Sequence, residues 1–355
     1  MEMAAATDTR LQNLLGMDRG ELEQLARGAH EPAYRGRQLY RGLYAGRVKD
    51  LAQLTVLAKK FREHLARHAA IRWPAIERAF PSQDGSTRYL LSLEDGEKVE
   101  AVSMPWKART TFCISSQAGC AVDCKFCFTG LLGLRRNLTA GEMVGQVLAL
   151  IDAGKIDGRL NIVLMGMGEP LLNYQQVIKA VGILADREGL AIPSRRITIS
   201  TAGIVPRIFD LAREPVRPRL AVSLNASSEE QRSALMPINR KYPLSVLMEA
   251  CREYPLGPRE RLTFEYVLLS GVNDSDADAA RVAHLVRGLS AKINLIPYNA
   301  GPGLPYRQPS LERVLAFQDI LRQQSVAAFI RISRGQDVMG ACGQLSFDGM
   351  NQRPA

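Results

Sequence analysis

The 355-residue chain has no run of about 18 apolar residues, which excludes a membrane-spanning helix of ordinary length. Its first residues, Met1 to Asp8, lack the basic-then-apolar order of a secretory leader, and no short-period repeat or low-complexity segment interrupts the rest of the chain. A cytoplasmic protein with no membrane partner is the expectation. Histidine is scarce: His30, His64, His68 and His284 are scattered. His64 and His68 stand four apart among Arg62, Glu63 and Arg67, which reads as a solvated helix face and not a metal site. Only six cysteines occur, clustered instead of spaced as a disulfide framework, so they point to a metal or to catalysis. No hydrophobic surface stripe calls for an oligomer, and a monomer is expected.

What the chain does contain is an ordinary globular mixture, 46% hydrophobic and 23% charged, enough for one large domain and a smaller one. Its formal charge of +10 suits a polyanionic partner such as nucleic acid, although the excess is spread along the chain and forms no basic tail. Arg135-Arg136 and Arg195-Arg196 are candidate contacts to an RNA backbone.

Apolar spacing places helices over residues 21–26, 36–43 and 57–68, a small helical unit broken by Pro32 and Gly46. Residues 88–93 and 98–104 flank Asp95-Gly96 and read as a β-hairpin. A domain boundary is placed there, with residues 1–95 as the N-terminal unit and 96–355 as the core. Strands are then expected at 111–115, 161–165, 196–200, 219–224, 262–269, 292–296 and 327–332. Between most of them lie helical patterns at 140–152, 174–185, 244–254, 276–287 and 311–323. Alternating βα units imply an α/β fold with a parallel sheet and outer helices, and six or seven units make an open, partial barrel. Special residues gather after the strands, where such a fold builds its site: the cysteine loop, Gly166-Met-Gly-Glu-Pro170, Thr201-Ala-Gly203, Asn225 and Pro297-Tyr-Asn-Ala-Gly301.

Cys120, Cys124 and Cys127 form a C-x-x-x-C-x-x-C loop. Three thiolates at that spacing suit three corners of a [4Fe-4S] cube and leave the fourth iron open; zinc is the competing metal, but no fourth Cys or His lies within loop distance. In Gly166-Met-Gly-Glu169-Pro170 two glycines let backbone approach a ligand while Glu169 can accept from an ammonium group, and a tight turn is the plainer alternative. Cys113 lies outside the triplet, Cys342 sits in a glycine-punctuated loop after the last strand, and Cys251 reads as a buried free thiol.

The triplet followed by the Gly-Glu-Pro turn resembles the radical S-adenosylmethionine superfamily. Further segments, Thr-Phe-Cys-Ile-Ser-Ser-Gln-Ala-Gly-Cys, Gly-Met-Gly-Glu-Pro-Leu-Leu-Asn, Leu-Met-Pro-Ile-Asn-Arg, Phe-Glu-Tyr-Val-Leu-Leu-Ser-Gly-Val-Asn-Asp and Arg-Gly-Gln-Asp-Val, resemble its RNA methyltransferases acting on adenine C2 of 23S rRNA and tRNA. That resemblance spans about residues 10 to 350. It implies a partial (βα)6 barrel with an extra C-terminal strand, a [4Fe-4S] cluster on Cys120, Cys124 and Cys127, and two S-adenosylmethionine molecules per turnover. Cofactor contacts fall on Gly168, Glu169, Ser200, Ser223, Leu224, Asn225 and Asn299. It further implies that Cys342 is methylated on sulfur and becomes joined to the RNA, that Glu100 removes the C2 proton, and that Cys113 resolves the adduct as a disulfide with Cys342. The helical unit would help grip RNA, and electrons would come from a donor such as flavodoxin. Many relatives carry His where this chain has Asn225, which cannot titrate. The alternatives are the related adenine-C8 rRNA methyltransferase that confers antibiotic resistance and a non-catalytic iron-sulfur RNA-binding protein.

Overall fold

The computed structural model of the chain describes residues 11–156, 158–301 and 303–345. The leader comparison on residues 1–8 and the end of the resemblance beyond residue 345 lie outside them. The chain opens with β1 (Gln12–Asn13), α1 (Arg19–Gly28), α2 (Ala33–Tyr44), α3 (Lys59–His68) and β2 (Ala69–Ala70), with helices where the apolar spacing places them. A capping box starts α1, in which Asp18 and Glu21 each accept the other's backbone N–H. Leu14, Leu22, Leu39 and Leu65 share one apolar core with the rest of the molecule.

Next come β3 (Ala75–Pro81), β4 (Thr87–Ser92), β5 (Lys98–Trp106) and β6 (Arg109–Cys113), each antiparallel to the last. β4 and β5 are the expected hairpin, turning through Gly96 at φ +87°. β3 escapes sequence reading because its side chains are mostly exposed and show no inward apolar face. The boundary placed at residue 95 falls in this hairpin turn, and both hairpin strands belong to the main sheet.

A short excursion, β7 (Gln117–Gly119), α4 (Phe128–Leu131) and β8 (Leu134–Asn137), frames the cysteine loop. The βα rhythm then runs through α5 (Ala140–Gly154), β9 (Arg159–Leu164), α6 (Tyr174–Ala185), β10 (Ile197–Thr201), α7 (Val205–Ala212) and β11 (Arg219–Ser223). It continues through α8 (Glu229–Leu235), α9 (Leu244–Glu253), β12 (Leu262–Leu268), α10 (Asp276–Leu285), β13 (Ala291–Pro297), α11 (Leu311–Gln323) and β14 (Ala328–Ile330). The ten-stranded sheet has the order β14-β13-β12-β11-β10-β9-β6-β5-β4-β3, and every pair from β6 to β14 is parallel. Six βα strands and an added C-terminal strand are therefore present, as expected. Thr111 of β6, Val163 of β9, Ile296 of β13 and Ile330 of β14 line one cavity, so the sheet curls until distant strands face each other. Among the described residues no helix is long and apolar enough to cross a membrane.

Beyond β14 the chain folds back across the top of the barrel as a loop that carries Cys342. Asp84, in the β3–β4 turn, accepts from the Gly335 N–H at 2.9 Å, and Asp337 accepts from Ser82 Oγ at 2.6 Å and the Gln83 N–H at 3.1 Å. Arg334 donates to the backbone carbonyls of Asp84 and Pro105. Burial raises the Asp84 carboxyl, but hydrogen bonds from Ser86, Gly335 and Arg334 outweigh it and hold it well below the usual carboxylate range.

The same substitution at two helical glycines should act with opposite sign. A Cβ at Gly141 in α5 would lie 2.2 Å from the Leu15 carbonyl oxygen, whereas one at Gly182 in α6 meets nothing within 4 Å. In chemical denaturation Gly141→Ala should lose about 1–3 kcal/mol by overpacking, and Gly182→Ala should gain about 0.5–1 kcal/mol from helix propensity. Asp84→Ala should speed amide hydrogen exchange over residues 335–343 with little change in global stability, since the contact is largely solvent-facing. A depressed carboxyl stabilises above its unfolded pKa of about 3.9 and loses that effect as pH falls toward its folded value. Wild-type loop protection should therefore hold at neutral pH and fade in acid; Asp84→Ala should reduce that acid-linked fade without abolishing it, since hydrogen bonds from Ser82 and Gln83 depress the Asp337 carboxyl of the same loop as well.

Candidate active site

A cavity of about 160 Å³ opens where β9 to β13 end and the cysteine loop crosses them. Cys120, Cys124 and Cys127 line it together with Gly168, Glu169, Ser200, Ser223 and Asn225, residues drawn from separate stretches of sequence. Burial pushes the Cys120 thiol up to about 12 and raises Cys124 and Cys127 as well. Among the described residues no three His, Cys, Asp or Glu side chains converge as ligands of a single ion. A cubane instead takes one thiolate at each of three corners.

The cysteine loop and the Gly-Glu-Pro turn are joined by the Ser115-Ser116-Gln117 stretch. Ser115 Oγ donates to the Glu100 carbonyl at 2.6 Å and accepts from the Met167 N–H at 2.8 Å. Gln117 Oε1 accepts from the Glu169 N–H at 2.8 Å. Gly168 has φ +100° and its missing Cβ would stand 2.5 Å from the Gln117 side chain, so only glycine fits there. Glu169 is buried, and its two oxygens accept from the Leu171 N–H at 3.0 Å and the Ala202 N–H at 2.6 Å. Burial raises its carboxyl to about 7, against the lowering effect of those donors.

Asn225 occupies the left-handed region at φ +55°, which asparagine tolerates. Its Oδ1 accepts from the Val267 N–H at 2.9 Å, so the side chain closes the β11–β12 edge. Leu224 is fully buried beside it and does not line the cavity; its N–H donates to the Glu265 carbonyl at 2.9 Å. Asn299 also stands back from the cavity lining: its Nδ2 donates to the Cys342 carbonyl at 3.0 Å and its Oδ1 accepts from Gln336 at 2.7 Å.

Four residues here were not anticipated. Glu265 and Tyr298 line the cavity, and Glu265 Oε2 and the Tyr298 hydroxyl are buried without a hydrogen-bond partner among the described residues. Each such open polar atom costs about 1–3 kcal/mol and fits a polar ligand in this cavity. Arg232 is fully buried and donates to the carbonyls of Ala202 at 2.6 Å, Ser223 at 3.2 Å and Leu224 at 3.3 Å, binding the ends of β10 and β11 together. Asn273 donates to the carbonyls of Asn225 and Val267, both at 2.8 Å. Glu265 carries a sequence signal, a charge inside the apolar run of β12, and Tyr298 lies in the 297–301 stretch that follows its strand. Arg232 and Asn273 look like surface residues until the chain is folded.

A second cavity of about 700 Å³ lies between the β5–β6 turn and the segment after β14. Cys113 and Arg331 line it, and Cys342 lies on the walls of both cavities. Burial pushes the Cys113 thiol up to about 12 and raises Cys342, while Arg331 pulls both down. Arg331 in turn reaches Glu265 at 3.6 Å. Glu100 is fully buried and ion-paired with Arg88. It lines neither cavity. Cross-strand register pairs both Arg88 and Cys113 with Val102, so Glu100, two residues earlier, shares their face of the sheet. A Cβ at Gly340 would sit 3.4 Å from Arg88 Cβ, placing the Cys342 loop over this pair. Cys251 is a buried thiol in α9, as expected.

Comparison with known proteins agrees with this geometry. A family model described as the radical SAM superfamily matches residues 114–283, and one described as the ribosomal RNA large subunit methyltransferase N-terminal domain matches residues 12–71. The chain is 50% identical over 334 residues to a probable dual-specificity RNA methyltransferase RlmN of Koribacter versatilis, covering 89% of this chain and 96% of the relative. It is 48% identical to the dual-specificity RNA methyltransferase RlmN of Solidesulfovibrio magneticus, covering 94% and 96%. A crystal structure of a radical SAM methyltransferase from Sphaerobacter thermophilus superposes with a TM-score of 0.90 at 46% identity, covering 94% of this chain and 99% of that one. The chain belongs to the dual-specificity RNA methyltransferase family of the radical SAM superfamily, whose cofactors are a [4Fe-4S] cluster and S-adenosylmethionine.

Proposed function

We propose that this enzyme methylates adenine C2 in the peptidyl-transferase region of 23S rRNA and beside the anticodon of tRNA, using two S-adenosylmethionine molecules per turnover. The observation that carries the reading is the position of Cys342 on the partition between two cavities, one walled by the cysteine triad and the other by Cys113. A methyl carrier has to visit a cofactor and a substrate, and a thiol on a shared wall faces both. Cys120, Cys124 and Cys127 would hold the cluster, while Glu169, Ser200, Ser223 and Asn225 offer polar groups to adenosylmethionine, joined by the open oxygen of Glu265. With both cofactors bound, the chemistry supplied is methyl donation and a 5′-deoxyadenosyl radical.

Cys342 accepts a methyl group on sulfur, loses a hydrogen atom from it, and joins through that carbon to C2 of the base. Adenine C2 is an electrophilic ring carbon with no lone pair, so direct displacement on a sulfonium methyl is closed to it and the detour through Cys342 is required. Glu100 would take the C2 proton once the Cys342 loop shifts; its ion pair with Arg88, which lies against Gly340 of that loop, supports this role. The adduct radical would give up its odd electron to the oxidised cluster; Cys113, as the thiolate, then attacks the Cys342 sulfur, the carbon–sulfur bond breaks as the disulfide forms, and the released carbon takes up the proton that Cys113 lost, leaving a methyl group on the base. Residues 1–95 serve as an accessory unit that grips folded RNA, and residues 96–355 as the core. The enzyme works as a cytoplasmic monomer reduced by a donor such as flavodoxin.

After anaerobic cluster reconstitution and exposure to adenosylmethionine, peptide mass analysis should find a methyl group on Cys342; its absence rules out the carrier. Cys113→Ala should accumulate a protein–RNA adduct visible on denaturing gels, and clean turnover by that variant removes Cys113 from the reaction. Nucleoside analysis of treated rRNA should show 2-methyladenosine, with 8-methyladenosine as the result that overturns the regiochemistry.

A further inference from the structure

The second cavity has a mouth that the two-cysteine reaction does not explain. Trp106 ends β5 and is 55% exposed, an unusual place for the largest aromatic residue. Arg334 lies against it, with its guanidinium carbon 5.6 Å from the indole centroid. That guanidinium is immobilised: it donates to the carbonyls of Asp84 and Pro105, and its Nε lies 3.4 Å from the Asp84 carboxylate. Its hydrogen-bonding edge is thus spent on the protein, and it braces the indole from one side. Arg109 is exposed and lines the same cavity, and Lys107 is exposed in the turn between it and Trp106. The same cavity is also lined by apolar Val163, Met165 and Ile330 and by Cys113 and Cys342.

We propose that the Trp106 indole, braced by Arg334, is a stacking platform that receives an unstacked nucleobase of RNA at the mouth of this cavity, with Lys107 and Arg109 beside the flanking phosphates. The proposal rests on the reading that RNA is the substrate, and deepens it by naming the residue that takes the base. A cavity of about 700 Å³ lies in the range that encloses small ligands, about 300–1,000 Å³. A flat, apolar, exposed ring with cations around it is the surface on which unpaired bases stack in RNA recognition. It also answers an energetic need, since a base lifted out of a helix loses stacking that a protein ring can replace. Trp106 is a binding residue in this account, and Arg334 a positioning residue.

The chain has two tryptophans, so Trp73→Phe leaves Trp106 as the sole indole emitter in the full-length, cluster-reconstituted enzyme. The probe is a short RNA hairpin with one unpaired loop adenosine, titrated while anisotropy of a label on the RNA reports binding. The hairpin should quench Trp106 emission in step with binding, and the same hairpin with an abasic loop position should bind without that quench. Trp106→Ala should weaken binding and raise KM roughly 5- to 150-fold, the range set by about 1–3 kcal/mol of base–aromatic stacking, while Trp106→Phe keeps most of the affinity. Binding without quenching, equal quenching by abasic RNA, or wild-type affinity and KM in Trp106→Ala overturns the platform. A cavity serving a peptide or a small molecule gives the first of those results. Methylation is scored separately: product formed by Trp106→Ala at wild-type KM removes the platform and leaves the methyltransferase reading standing. Quenching with no methylated RNA removes that reading and leaves a base-binding site.

Discussion

The loop that carries Cys342 has almost no regular structure, so its position depends on hydrogen bonds reaching in from distant parts of the chain. Asn299 holds the Cys342 carbonyl, Thr129 Oγ1 donates to the Leu345 carbonyl at 2.7 Å, the Phe128 N–H donates to the Gly343 carbonyl at 2.9 Å, and Asp84 takes the Gly335 N–H. Each contact is worth about 0.5–1.5 kcal/mol. Together they fasten one thiol to the wall between two cavities.

Beneath the loop, the site is organised by buried charge. Arg232 has no exposed surface, and its guanidinium is satisfied by backbone carbonyls and the Asn239 amide oxygen at 3.0 Å. Burial lowers its pKa to about 10, yet it stays charged near neutral pH. Its cost is offset only because several dipoles converge on it, and in doing so they tie the ends of β10 and β11 to one another. Half-buried Arg331 stands between the cavities: burial opposes its charge, and the Glu265 carboxylate at 3.6 Å favours it. Glu265 thereby lines the cavity that holds the cysteine triad while its ion-pair partner lines the other.

Much of this was legible in the residues alone. The βα rhythm placed all seven parallel strands to within a few residues, and the rule that sites gather at strand ends brought Gly168, Glu169, Ser200, Ser223 and Asn225 to one cavity with the cysteine triad. Exposed β3 and the helices α7 and α8 were missed, the strand because nothing apolar marks it. Leu224 and Asn299 were grouped with the cofactor contacts. They stand back from its cavity lining, one packed in the core and the other spent on the Cys342 loop.

By itself the sequence determined the fold class, the cysteine triad and the family, because those are written in periodicity and in short spacings that survive without a partner. What only the tertiary structure decided is adjacency. Cys113 and Cys342 are far apart in the chain, yet the curl of the sheet brings β6 and the segment after β14 to one cavity, and Cys342 to a second. No local pattern encodes that meeting, since it depends on how far a twisted parallel sheet closes and on which backbone carbonyls are left to anchor an irregular loop. The same closure sets Trp106 and Arg334 together at the mouth.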